Sequence, residues 1–130
     1  MSAKRLSSLV VAVALSACGG SSSDTGGAGG CTPGASASIT ISSTGVSPKA
    51  VCVKPGGTVK FTNDDTAAHD IESGATCTAL NLGAIVAAGS ATATFPTAQT
   101  CAFHDQGDPT NTAFQGTVAV SSGQVTGPGY

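Results

Sequence analysis

Short segments in which apolar and polar residues alternate run through the chain from residue 39 to residue 120. Turn-forming residues separate them, as in the runs 42–45, 54–57 and 63–65. Alternation with a period of two is typical of strands that have one buried face. Strands at this spacing, without a helical period of useful length, predict an antiparallel all-β sandwich. The predicted strands are Ile39–Ile41, Val51–Val53, Thr58–Thr62, Ala91–Phe95 and Gly116–Val120.

The composition excludes several classes of function. The 130 residues provide room for one domain, and only 9% of them are charged. A formal net charge of −2 gives no basic patch for nucleic acid, so we expect no nucleic-acid partner. The sequence has neither a nucleophile-elbow motif nor a Gly-rich loop that precedes a helix. We therefore expect that the protein is not an enzyme.

The N-terminal region has the pattern of an export signal followed by a linker. Lys4 and Arg5 precede a short apolar run, and Leu15-Ser16-Ala17-Cys18 resembles the lipobox of bacterial lipoproteins. We predict that Cys18 is acylated and that the mature protein lies outside the cytoplasm, anchored to a bacterial membrane by lipid. The predicted divisions are a lipoprotein signal peptide at 1–17, a Gly/Ser-rich tether at 18–30, a folded domain at 31–123 and a C-terminal tail at 124–130.

Four cysteines remain if Cys18 is acylated. An even number of cysteines in an exported domain with a small core predicts a disulfide framework. Four cysteines allow three pairings, and sequence alone does not choose among them. Proximity along the chain favours Cys31 with Cys52 and Cys77 with Cys101. If Cys101 instead bound a metal ion, Cys77 would be left as an odd thiol.

Taken together, these segments resemble the cupredoxin family of copper proteins. The most specific match is 56–65, a Gly-x-x-Val-x-Phe-x-Asn-x-Asp pattern, with His69 six residues after its Asn. Further matches are Val46-Ser47-Pro48, Phe103-His104 and Gly116–Val120, so that the resemblance covers nearly the whole domain. It implies a cupredoxin-like Greek-key β-sandwich, copper as the cofactor and His69 as the first copper ligand.

Two alignments compete for the remaining copper ligands. In the first, Cys101 and His104 are the copper-binding Cys and the second His, and Gln106 lies near the axial position. This alignment implies a thiolate site that transfers electrons. Phe114 then stands in the slot where the family usually has an axial Met, and a phenyl ring cannot coordinate copper.

The second alignment agrees better with the spacing of the family. Asp105 lies ten residues after Phe95, where the family has its copper-binding Cys. The run 103–106 then resembles the Phe-His-Asp-His run of an exported bacterial subgroup, with Gln106 in place of the last His. Cys101 becomes a strand residue that faces the same way as Phe103 and is free to pair with another cysteine.

The second alignment implies a metal site formed by His69, His104 and Asp105, with Gln106 as a further candidate ligand. Such a nitrogen-oxygen set suits Cu(II) or Zn(II). We expect a copper-binding protein, and the resemblance implies electron transfer or copper handling, with a redox or copper-handling protein as partner. Two alternatives stay open. One is a degenerate, metal-free sandwich that acts as a surface binding or structural module, and the other is an immunoglobulin-like adhesive domain.

Overall fold

The structure is a computed structural model that describes residues 30–75 and 77–126. The predicted signal peptide, the acylation site Cys18 and all of the predicted tether except Gly30 lie outside the described residues. The same holds for the last four residues of the predicted tail. Neither of the two short helices in the described part of the chain is long and apolar enough to cross a membrane.

Within the described residues, the domain consists of eight strands and two 3-10 helices of three residues each. The 3-10 helices are Thr78–Leu80 and Thr112–Phe114. The strands are β1 (Gly34–Ser42), β2 (Gly45–Ser47), β3 (Ala50–Asn63), β4 (His69–Glu72), β5 (Gly83–Ile85), β6 (Ser90–Phe95), β7 (Gln99–Asp105) and β8 (Gly116–Val120).

The long strand β3 belongs to both sheets of a sandwich. Its first part, 50–53, pairs in parallel with β8, and its second part, 57–62, pairs antiparallel with β6. β1 lies parallel to β3 and carries β2 on its other edge. Beyond β8 follow β7, β4 and β5, all antiparallel to their neighbours. The prediction of an all-β sandwich is therefore confirmed, but the prediction that it is antiparallel is wrong, because β3 pairs in parallel with both β1 and β8.

The Gly- and Pro-containing run 54–57 bends a strand instead of ending one. We predicted a turn here from the dipeptides Lys54-Pro55 and Gly56-Gly57, and that prediction is wrong. The pairing of β1 with β3 skips these four residues, and Gly56 has a φ of +85° that favours glycine. This bend separates the part of β3 that pairs with β8 from the part that pairs with β6.

Apolar side chains from both sheets form one core. Phe61 of β3 and Phe103 of β7 meet edge to face, with ring centroids 5.2 Å apart and planes at 88°. Gly116, at the start of β8, leaves room for the Phe103 ring, because a methyl group there would overlap the ring and lie 2.5 Å from the carbonyl oxygen of Lys49. These contacts fix the end of β7 that carries the candidate site residues.

Both disulfides favoured by proximity are present. Cys31 is bonded to Cys52, and Cys77 is bonded to Cys101, with Cα–Cα distances of 6.1 and 5.7 Å. Cys101 and Phe103 both face the core, as the second alignment predicts. Cys31 also exchanges two backbone hydrogen bonds with Val125, so the first and last described segments lie side by side.

Candidate functional site

His69 and Asp105 form a buried pair where β4 and β7 meet. Asp105 lies opposite Ile71 in the antiparallel ladder, and its side chain faces inward, as does that of His69. The Nδ1 atom of His69 lies 2.6 Å from Oδ2 of Asp105. The carboxylate also accepts hydrogen bonds from the backbone N–H groups of Asp70 and Gly107. Both carboxylate oxygens of Asp105 thus have hydrogen-bond partners within the domain.

A second carboxylate holds the opposite edge of the His69 ring. Oδ2 of Asp65 lies 2.9 Å from Nε2 of His69. The loop that carries Asp65 is fixed by Asn63, which is buried and accepts a hydrogen bond from the backbone N–H of Asp65. Asp65 is not among the ligands predicted from the sequence. The only sequence signal for a contact with His69 is the separation of four residues. That separation brings side chains together on a helix, and it predicts no contact in a loop.

The charges of these three groups stabilise one another. Burial lowers the pKa of His69, but the hydrogen bonds and charges of Asp105 and Asp65 outweigh it, and the pKa of His69 is raised above its ordinary value of 6.5. The hydrogen bond from His69 lowers the pKa of Asp65. For Asp105, burial raises the pKa, but the hydrogen bonds from His69 and two backbone N–H groups outweigh burial, and the pKa lies below its ordinary value of 3.8. Both ring nitrogens lie within hydrogen-bond distance of a carboxylate oxygen, and this geometry favours the cationic imidazole, in which both nitrogens donate.

Phe114 covers one face of the His69 ring. The two rings are stacked, with centroids 5.0 Å apart and planes at 21°. Phe114 ends the 3-10 helix 112–114, which begins with a hydrogen bond from the backbone N–H of Ala113 to the side chain of Asn111. Phe114, which the resemblance aligns with the family's axial Met, is thus an apolar cover that lies against the imidazole.

His104 lies on the other face of β7 from Asp105. Successive side chains of a strand point to opposite faces, and the exposure along β7 follows this alternation. His104 lies opposite Glu72 in the ladder, and its Nε2 atom is 3.2 Å from Oε1 of Gln106. The structure therefore brings His69 together with Asp105, and His104 together with Gln106, but it does not bring the two histidines to one point.

Two separate surface depressions reflect this division. His69 and Asp105 line an open depression of about 290 Å³ together with Phe114. His104 lines a different one of about 530 Å³, together with Lys49.

The residues around His69 do not fit a copper ion. The sulfur of Cys101 is bonded to Cys77 and supplies no thiolate. Asp65 and Asp105 bind different nitrogens of one ring, whose lone pairs diverge, so the two carboxylates cannot join that ring around a single ion. Within 30–75 and 77–126, no group of three or more His, Cys, Asp or Glu side chains is placed to hold a metal ion.

Comparison with known proteins supports the fold. No family model and no curated sequence matches the chain. Among solved structures, amicyanin from Paracoccus versutus has a TM-score of 0.58 at 18% identity, covering 68% of this chain and 84% of that one. A purple cupredoxin from Nitrosopumilus maritimus has a TM-score of 0.57 at 23% identity, covering 65% and 99%.

A copper(I) form of an amicyanin variant gives a TM-score of 0.54 at 22% identity, covering 65% of this chain and 80% of that one. Together with the strand order and the mixed parallel and antiparallel pairing, these similarities confirm the predicted type of sandwich. The chain has the cupredoxin fold.

Proposed function

We propose that the protein is an extracytoplasmic, lipid-anchored module with a cupredoxin fold, in which a His–Asp ion pair stands at the position of the copper centre. One observation carries this proposal: Asp105, aligned with the copper-binding Cys of the family, binds the Nδ1 atom of His69, aligned with the first copper ligand. The module acts as a surface binding or structural domain and not as an enzyme or a thiolate-copper electron carrier.

The disulfides support the extracytoplasmic part of this proposal. Two bonds, Cys31–Cys52 and Cys77–Cys101, use all four cysteines that follow the predicted lipidation site. Such bonds form and persist in oxidising compartments and are rare in the cytosol. The lipobox-like sequence that ends at Cys18 supports both export from the cytoplasm and attachment to a membrane surface by lipid.

Metal titration followed at each histidine tests the proposal. The chain contains only two histidines, His69 and His104, so two sets of imidazole signals report every His ligand. We expect addition of Cu(II) to give no intense absorption near 600 nm, which is the thiolate-copper signature of the family. We also expect Zn(II) to leave the ¹⁵N shifts of the His69 ring unchanged. An intense band, or a shift at His69 Nδ1 with one equivalent of metal, would overturn the proposal.

Copper binding at His69, with electron transfer or copper handling and a protein partner for either, is the second candidate function. The copper(I) form of the amicyanin variant favours it, since that protein shares the fold. For this chain the candidate requires that a ring nitrogen of His69 leave its carboxylate partner, Nδ1 from Asp105 or Nε2 from Asp65. If this candidate is correct, the unmodified protein binds copper at His69, and Asp105→Ala, which frees Nδ1, strengthens that binding. The ion-pair proposal expects no copper at His69 in the unmodified protein.

A further inference from the structure

We propose that His104, Glu72 and Gln106 form a surface site for a divalent transition-metal ion, Zn(II) or Cu(II). The site lies on the solvent face of the β4–β7 pair and not at the position of the cupredoxin copper centre. It goes beyond the proposed function, which concerns the inner position occupied by His69 and Asp105.

Two oxygen atoms lie close to one nitrogen of His104, which gives three donor atoms in all. Its Nε2 atom lies 3.2 Å from Oε1 of Gln106 and 3.8 Å from Oε1 of Glu72. Metal–ligand bonds of about 2.0 to 2.2 Å in a tetrahedral arrangement separate the ligand atoms by about 3.3 to 3.6 Å. The two N–O distances therefore differ by only a few tenths of an ångström from those expected around a bound ion.

His69 provides the contrast within the same molecule. Its two carboxylates lie on different ring nitrogens, whereas both oxygens near His104 lie on the same one. A metal ion needs donors that point to a common centre. By that criterion His104, Glu72 and Gln106 are suited to a metal ion. His69 and its two carboxylates are suited instead to a protonated imidazole.

The strands that carry His104, Glu72 and Gln106 are held in place by backbone pairing and by the core. Glu72 and His104 are direct partners in the antiparallel ladder, and Gln106 follows His104 by two residues on the same side. The backbone N–H of Gln106 donates to the carbonyl of Asp70, which extends the pairing past the end of β7. The inward side chains of the same strands, Ile71 and Phe103, are buried in the core.

The chemistry of the donors selects the ion. One imidazole nitrogen with carboxylate and amide oxygens suits the borderline ions Zn(II) and Cu(II), with water completing the coordination. About 30% of each side chain of Glu72 and His104 is exposed, so an ion reaches them from solvent without opening of the fold. Three ligands on an open surface make a labile site, suited to reversible exchange of the ion.

Zn(II) titration of the full chain, followed by calorimetry and by the imidazole ¹⁵N shifts, tests this site. We expect one equivalent of Zn(II) to shift Nε2 of His104 and to leave His69 unchanged. His104→Gln should abolish binding, and Glu72→Gln should weaken it by about tenfold or more, since it removes the one anionic ligand. Asp64→Asn, which removes an equal charge from an exposed loop, is the matched control and should bind as the unmodified protein does.

A gain-of-affinity variant excludes an explanation by misfolding. Gln106→His replaces an amide oxygen with a second imidazole and should tighten Zn(II) binding by about tenfold or more. With Cu(II), it should change the electron spin resonance signal from one coupled nitrogen to two. Binding that survives His104→Gln, that shifts His69 instead, or that is absent at micromolar Zn(II) would overturn the inference.

Discussion

The Nδ1 atom of His69 lies 2.6 Å from Oδ2 of Asp105, so two residues that the resemblance assigns to copper are bonded to each other. The carboxylate joins β4 to β7, and through the backbone N–H of Gly107 it also holds the loop after β7. In this chain an ion pair between His69 and Asp105 connects these two strands. The pair is therefore a stability element whose removal can be measured.

We expect Asp105→Asn to lower the free energy of unfolding by about 1.5 to 3 kcal/mol, since it removes a buried hydrogen bond between charged groups. Urea denaturation at pH 6 measures this loss. Asp108→Asn is the matched control, because Asp108 is exposed and lies three residues away. Its effect should stay within about 0.5 kcal/mol. Equal effects of the two variants would contradict a stabilising role of the pair.

Stability should decline as the pH rises from neutral toward alkaline values. The pKa of His69 is raised above 6.5, so its contribution is fully present below pH 6.5 and is lost as the pH rises through the folded-state pKa. The lowered pKa values of Asp65 and Asp105 predict a second loss as the pH falls below 3.8. Urea denaturation at pH 6 and pH 9 tests the alkaline decline. His69→Gln should remove it, and parallel profiles of the two proteins would refute this assignment.

The buried amide of Asn63 should matter more than an exposed amide with as many hydrogen bonds. Nδ2 of Asn63 donates to the carbonyls of Ala67 and Ile85, and Oδ1 accepts from the backbone of Asp65. Asn63→Ala leaves these groups without partners, so we expect a loss of about 3 kcal/mol in unfolding free energy.

Asn81 is the control for that experiment. It also makes three hydrogen bonds to the backbone, all within 73–81, but its side chain is exposed. Water can replace those bonds, so Asn81→Ala should cost about 1 kcal/mol. Comparable losses at the two positions in thermal or urea unfolding would show that burial is not the deciding factor.

Gly116→Ala should destabilise the domain by about 1 to 3 kcal/mol through overpacking. The added methyl group overlaps the Phe103 ring and approaches the Lys49 carbonyl, which belongs to backbone that cannot move easily. Gly123→Ala serves as the control, because a methyl group there meets nothing within 4 Å. Melting temperatures of the two variants provide the measurement, and an unchanged value for Gly116→Ala would contradict the packing described here.

The predicted lipid anchor is tested by Cys18→Ser. We expect the unmodified protein to partition into the detergent phase after export and the variant to remain in the aqueous phase, because acyl chains supply the membrane affinity. Incorporation of labelled palmitate should stop in the variant. If both proteins partition alike, the N-terminal region acts as an ordinary signal sequence and Cys18 is not acylated.

The features that could be predicted from the sequence are those that depend on a local pattern of residues. Alternation located β-strands at Ile39–Ile41, Ala91–Phe95 and Gly116–Val120, and proximity along the chain indicated both disulfides. It failed at Lys54–Gly57, because the same glycines and proline that form turns also permit a bend between two parts of one strand. The pairing with β1 decides whether these residues form a turn or a bend, and it joins residues 19 to 22 positions apart.

The metal site shows the same limit. His69, His104 and Asp105 are chemically suitable ligands, and nothing in the order of residues states that His104 and Asp105 point to opposite faces. That outcome follows from the strand that contains both of them. Glu72 and Asp65 were not selected because each becomes a neighbour of a histidine only through cross-strand pairing or a loop fixed by Asn63.

The disulfide between Cys31 and Cys52 determines how the domain would bear mechanical tension. Cys31 is the point at which the preceding chain enters the domain, and Cys52 lies in β3, the strand shared by both sheets. A force applied to the preceding chain is transmitted through the disulfide to β3. Without the disulfide, the same force would act on β1 and separate it from its neighbours. A domain held in this way resists unfolding from its first strand when the preceding chain is pulled.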